Sequence, residues 1–253
     1  PLGLRLVFVS NCVGSDAVAA NKVGLWPVDF TITTYNKLLG DSQFWHSFWI
    51  SVKRVVIGTL INMFFTISMA YPLSKSKKRF RAREIYMKIV IFAMLFNGGV
   101  IPLFMVVSKL HLNNTIWSLV LPGAVPVFNV ILLINFFKGV PESLDEAARI
   151  DGASELYTFH RIAIPIMSPG IATMSIMGFI GGWNAYLLPM IILNKNEKFT
   201  LPVMMATLRA STDITANQGA IYLAVAISVI PILLVFAFFS KYIISSISAG
   251  AVK

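Results

Sequence analysis

Pro141-Glu-Ser-Leu-Asp-Glu-Ala-Ala-Arg-Ile-Asp-Gly-Ala-Ser-Glu-Leu-Tyr-Thr-Phe-His-Arg-Ile-Ala-Ile-Pro165 is a charged segment set between two long apolar runs. It reads as two short helices with a break. Pro141 suits a first helical position, and Glu142, Asp145 and Glu146 lie in the opening turns, where the helix dipole favours anions. Gly152 can take the left-handed conformation that ends a helix. Ser154 can cap a second helix running to about Ile162, and Pro165 marks the entry to the next apolar run.

The surroundings of this segment are those of a membrane protein. Of 253 residues, 57% are hydrophobic and only 13% charged, and the mean hydropathy is +0.76. A soluble domain carries about 25% charged residues. The net charge of +10 could point to nucleic acid. The basic residues, however, lie beside apolar spans, where anionic lipid headgroups and orientation in the bilayer account for them, so no nucleic-acid partner is expected. A single cysteine, Cys12, excludes an internal disulfide and a cysteine metal cluster. His46, His111 and His160 have no metal-ligand spacing.

The chain reads as a polytopic transmembrane helix bundle, all-α, with about six spans. About 20 residues are needed to cross. Residues 1–13 are too few and read as the outer half of a first, incomplete span, or else as an interfacial segment. The remaining runs are Val55 to Leu73, Ile89 to Ser108, Thr115 to Phe137, Pro169 to Leu193 and Ile221 to Ser240. Gly58, Asn62, Thr66 and Ala70 give the first of these a small, partly polar stripe suited to close helix packing. Asn97-Gly98-Gly99 predicts a break in the next, either for packing or at a wet cavity. Asn129 and Asn135 are amides that need hydrogen-bond partners in lipid, across helices or along a route. Gly178 and Gly182 form a small-residue pair, followed by Trp183, Asn184 and Tyr186. Asn194 to Ala220 reads as a polar loop.

Lys75 to Arg83 holds six basic residues in nine, a marker of the cytoplasmic side. Alternation from there places 138–161 and the tail inside, and 109–114 and 194–220 outside. The inner segments then hold eleven Lys and Arg residues against six in the outer loops. Lys53 and Arg54 precede the first complete apolar run on the outer side. They either snorkel to headgroups or guide an acidic substrate.

The segment that opens this section resembles the signature loop of ABC importer permeases: Glu146, Ala147 and Ala148, three residues, Gly152, nine residues, Ile162, one residue, Ile164, then Pro165. Ile164 stands where the pattern has Leu. The Arg149-Ile-Asp-Gly-Ala153 continuation and the Gly182-Trp-Asn184 feature look most like the carbohydrate-uptake, maltose-type branch. The resemblance covers nearly the whole chain from Leu25. It implies a single permease domain over 1–253 with the type I importer fold, in the inner membrane. It makes 141–165 a cytoplasmic coupling loop that docks on an ATPase. It implies a second, related permease in a heterodimer, two ATPase subunits using ATP and Mg, and an extracytoplasmic solute-binding protein. The implied cargo is an oligosaccharide, with an acidic one open. The chain itself has no phosphate-binding loop of the Gly-Lys-Ser/Thr type and no catalytic constellation, so no cofactor of its own is expected. Asn97, Asn129, Trp183, Asn184, Tyr186, Lys53 and Arg54 are the candidates for lining the route. A peptide, polyamine or anion importer is the alternative. A secondary transporter would need paired charges at mid-membrane, which the complete apolar runs lack.

Overall fold

The computed structural model describes Asn36 and residues 38–96, 98–210 and 214–250, the last without side chains at 214–219 and 241–250. The half-span expected over 1–13, Trp26, Tyr35 and Asn97 lie outside the described residues.

Asp41 caps the first long helix by accepting a 2.9 Å bond from the Gln43 N–H. That helix, α1, runs Ser42–Ser74 and is long and apolar enough to cross a membrane. It starts well before the expected Val55, because Phe44, Ser47 and Ser51 are buried and extend the packed face outward. Pro72 falls in its last turn, and Lys75 follows in extended conformation. Lys53 and Arg54 therefore sit inside the helix and not ahead of it.

Three further apolar runs bend. α2 (Arg83–Leu95) and α3 (Val100–Lys109) meet at 112°, with Gly99 at φ +83 in the break. α4 (Ile116–Val120) passes into a tight turn over Leu121–Gly123 and then, at 47°, into α5 (Val127–Lys138). Pro122 and Pro126 supply the break, since neither can donate a helical hydrogen bond. α6 (Glu142–Ile150) and α7 (Glu155–Ile166) follow, and α7 meets α8 (Ser168–Asn184) at 76°. Ala185 is extended, so the expected span to Leu193 stops at Asn184, and α9 (Leu187–Ile192) is a separate short helix. The region expected as a polar loop contains α10 (Leu201–Ala210), whose Leu201, Val203 and Met204 are buried. α11 spans Ile214–Gly250. Among the described residues two helices are long and apolar enough to span outright, or up to five when each bent pair counts as one.

α1 is the axis. α5, α8 and α10 all pack on it, and α11 covers α8 and α10. Two cores form along its length. Ala70, Tyr71 and Leu73 join Val90, Leu133, Ile134, Phe137 and Ala163 near one end. Phe44 and Val55 join Trp183, Leu201, Met204, Leu223 and Ala224 toward the other. The loops sort accordingly. At one end Asn194 N–H donates to Asn114 Oδ1 at 2.8 Å, and Gln43 Nε2 donates to the Asn196 carbonyl at 2.5 Å. At the other end the basic run Lys75–Arg83 meets the helices after Pro141. The loops that the charge pattern grouped on one side thus lie beside one another.

Leu133 is fully buried between α1 and α5. Lipid is as apolar as leucine, so the cost of truncation there is lost packing more than lost burial. Leu133→Ala is expected to destabilise the protein by about 2 kcal/mol in a thermal or denaturant titration in detergent.

Candidate functional site

The 141–165 loop is built from two capped helices. Pro141 is the N-cap of α6 and not its first residue. At the other end Gly152 sits at φ +78, its N–H donates to the Arg149 carbonyl at 3.1 Å, and the Ala153 N–H donates to the Ala148 carbonyl at 2.9 Å. This pair of bonds is the Schellman arrangement, and the left-handed residue in it favours glycine. Ser154 Oγ then accepts from the Tyr157 N–H at 3.2 Å and starts α7. Phe159–Ala163 is a π-turn within α7. Pro165 cannot bond the carbonyl of Arg161 and its ring would crowd it, so the wider turn just before it relieves the clash.

Asp145 is 3% exposed, yet its charge is met by two cations, both at Oδ2. It accepts from Lys75 Nζ and, at 2.8 Å, from Arg79 Nη1. Arg79 turns its other edge to Glu155, with Nη2 at 2.9 Å from both carboxylate oxygens and Nε at 3.2 Å from Oε1. One guanidinium therefore joins α6 to α7 and both to the foot of α1. Burial works against the charge on Arg79, but the Glu155 hydrogen bonds and the two carboxylates outweigh it and hold the guanidinium above its ordinary value. Lys75 Nζ also lies 4.3 Å from the Tyr71 ring centroid, a cation–π contact.

The clamp turns the loop residues in opposite directions. Asp145 and Ala148 face inward, while Glu146 and Ala147 are exposed. Ala148, expected to be a docking residue, is thus packed into its own protein. Apolar side chains stand outward instead: Leu144, Ile150, Leu156 and Tyr157, with Ile150 87% exposed. Ile162 and Ile164 are half-buried and Pro165 is exposed.

The residues expected along a route separate. Arg54 is 7% exposed, and its Nη1 donates to the carbonyls of Gly182 at 2.9 Å and Ala185 at 3.2 Å. It caps the C-terminus of α8, where the helix dipole favours a cation. Arg54 and Asn129 line one cavity of about 350 Å³ between α1, the α4–α5 bend and α8, together with Asn62. Lys53 lines another, of about 880 Å³, with Trp45, Trp49 and Trp117 at the outer-loop end. Trp183 is 2% exposed, packs edge-on to Phe48, stacks on Phe179, and donates to the Ser228 carbonyl at 3.1 Å. It lies inside the protein core and not on either cavity. Asn184 bonds the Ile180 carbonyl of its own helix. Tyr186 is exposed beside Pro202 and Arg209. Asp145, Arg79, Glu155 and Asn62 were not among the expected site residues. The signal for the first three is a basic run and two acids assigned to one side of the membrane.

Long apolar helices, a cavity inside the bundle that exposes Arg54, Asn62 and Asn129, and a charged helical loop clamped to one end are the features of a membrane transport subunit. The chain belongs to the family described as the binding-protein-dependent transport system inner membrane component, which it matches over residues 62–249. It is 36% identical to the protein LplC of Bacillus subtilis (strain 168), over 98% of this chain and 88% of that protein. It is 34% identical to the polygalacturonan/rhamnogalacturonan transport system permease protein YtcP of the same organism, over 98% of this chain and 90% of the other. Among solved structures it superposes on a bacterial ABC transporter involved in the import of the acidic polysaccharide alginate. The TM-score is 0.86 and the identity 29%, over 95% of this chain and 90% of that one.

Removing the Asp145 carboxylate strands two cations that it neutralises. Asp145→Ala is expected to destabilise the loop by about 1–3 kcal/mol. The effects of Asp145→Ala and Arg79→Ala are expected to be less than additive in a double-mutant cycle, read as protease resistance of the 141–165 segment.

Proposed function

We propose that this chain is one of two permease subunits of an ATP-driven oligosaccharide importer, and that its 141–165 loop is the cytoplasmic arm that docks on an ATPase subunit. The observation that carries this reading is the outward apolar face of a loop clamped by ions. Leu144, Ile150, Leu156 and Tyr157 stand exposed at the end of the molecule that also holds the basic run. Exposed aliphatic and aromatic side chains rimmed by charge mark a protein-binding surface. Positive charge at the same end supports its placement in the cytoplasm.

Family membership supports a binding-protein partner and an inner-membrane site. The names of the relatives support a sugar cargo: one is a permease for polygalacturonan and rhamnogalacturonan, and the structural neighbour imports alginate. Energy then comes from outside the chain. ATP and Mg belong to the two ATPase subunits, a related permease completes the pathway as a heterodimer, and a solute-binding protein delivers sugar to the outer side. The chain's part is mechanical. α6 and α7 move as one body with the foot of α1, because Arg79 bonds both acids at once. The exposed Glu146 meets a basic group on the ATPase.

Gly152→Pro removes a φ of +78 and the donor to Arg149, both of which the loop uses. Glu146→Lys reverses the charge on the exposed face. Each variant is expected to insert in the membrane yet lose ATP-driven oligosaccharide uptake by about tenfold or more, as for a lost buried ionic contact. Normal uptake by both would remove the docking reading.

A further inference from the structure

The cavity between α1, the α4–α5 bend and α8 has two features that close packing does not explain. Asn62 is about nine-tenths buried and donates through Nδ2 to the Gly123 carbonyl at 3.1 Å. Its Oδ1 has no hydrogen-bond partner among the described residues. That oxygen faces α8, since a Cβ placed on Gly178 would stand 3.9 Å from it. Arg54 is the second feature. Both of its hydrogen bonds come from Nη1. Nη2 and Nε make none with the described residues, and no carboxylate among them pairs with the charge. A guanidinium buried to this extent, 7% exposed, is costly unless its charge and remaining donors are met.

The space itself is kept by glycine. Gly178, Gly181 and Gly123 all line it, and a Cβ on Gly181 or Gly123 would meet nothing within 4 Å. Gly182 differs, because its Cβ would touch Val55 at 3.6 Å. The glycine pair on α8 is therefore split, with one member serving helix contact and the other the void. Asn62 lies twelve residues from the end of α1 at Ser74, about 18 Å along the helix, which is near mid-membrane. The volume, about 350 Å³, lies at the lower end of small-ligand sites, which run about 300–1,000 Å³.

We infer that this cavity is a uronic-acid subsite, in which Arg54 takes the sugar carboxylate and Asn62 Oδ1 accepts from a sugar hydroxyl. The inference rests on the oligosaccharide-importer reading and adds to it the charge of the cargo and the residues that read it. A carboxylate matches the free edge of the guanidinium, which bonds such groups in parallel pairs. An amide oxygen suits a hydroxyl. The glycine face of α8 admits a flat ring where any larger residue would fill the gap. Asn129, from α5, supplies a further amide on the same wall.

The test uses vesicles holding the complete transporter with its binding protein. Import of trigalacturonate and trimannuronate is compared with that of their methyl esters and of a neutral trisaccharide. The free acids are expected to enter faster than the esters. Arg54→Gln keeps an amide donor but drops the charge, and is expected to erase the preference, a change of about tenfold. Gly181→Leu starts from a Cβ that meets nothing within 4 Å, narrows the cavity, and is expected to cut import of the acids by a similar factor in a complex that still purifies whole. It decides the matter should Arg54→Gln fail to assemble. Import of neutral sugar with no preference for the acids, or unchanged acid import by Gly181→Leu, overturns the inference and leaves the importer reading standing. Failure to import any oligosaccharide ends both.

Discussion

A single buried carboxylate holds the two parts of this molecule together. Asp145 reaches Lys75 and Arg79 from the loop helix, and both cations stand just past the end of α1. Without Asp145 the pair of cations would repel each other, and α6 would have only Ala148 to hold it inward. Isolated surface ion pairs contribute little. The exposed Lys77–Glu84 pair at 2.9 Å is of that sort. Asp145 differs because it is withdrawn from water and because Arg79 is shared with Glu155, so that four charges on three segments form one network. A network of this kind fixes direction as well as distance, since the planar guanidinium must present one edge to each acid.

The consequence is a loop with two assigned faces. α6 spends Asp145 and Ala148 on its own protein and leaves Glu146, Ala147 and Ile150 outside. The turn at Gly152 and the cap at Ser154 set the angle between α6 and α7, and the π-turn before Pro165 carries α7 into α8. Asp145 bonds Lys75 and Arg79 in the turn that follows α1, and Tyr71 in the last turns of α1 contacts Phe137 of α5 and Phe159 of α7.

Much of this was legible in the residues. The helical class, the break at Gly98–Gly99, the left-handed Gly152 and the capping Ser154 all follow from local chemistry, whereas the bend at Pro122–Pro126 falls inside a run read as one span. Hydropathy found the spans because lipid admits few alternatives. It misjudged their ends, because apolarity and helix are different properties: Ser47, Ser51 and Arg54 continue α1 as polar residues buried in protein, while Ala185 stops α8 inside an apolar run. α10 was hidden for a related reason. Its apolar run is only ten residues long, too short to cross a bilayer, and lies between two polar stretches; contact with α1 and α11 makes it core. Side-chain roles were least legible. Trp183 beside an amide looks like a sugar platform in one dimension, yet its indole N–H is taken by Ser228, forty-five residues away.

The bends and the polar residues of α1 are two halves of one solution. A helix that breaks at membrane depth frees carbonyl groups, and nothing in lipid can satisfy them. The Leu121–Gly123 turn frees the Gly123 carbonyl, and Asn62 meets it. The end of α8 frees those of Gly182 and Ala185, and Arg54 meets both. Each repair brings a side chain with more hydrogen-bonding capacity than the break consumes: an amide with an oxygen left over, a guanidinium with an edge and a charge left over. Straight helices would have needed neither residue and would have closed on each other through the glycines. Breaking them forces polar atoms into the interior and opens room beside them. The surplus capacity of Asn62 and Arg54 therefore arises in one cavity inside the bundle, at two levels about 12 Å apart along α1.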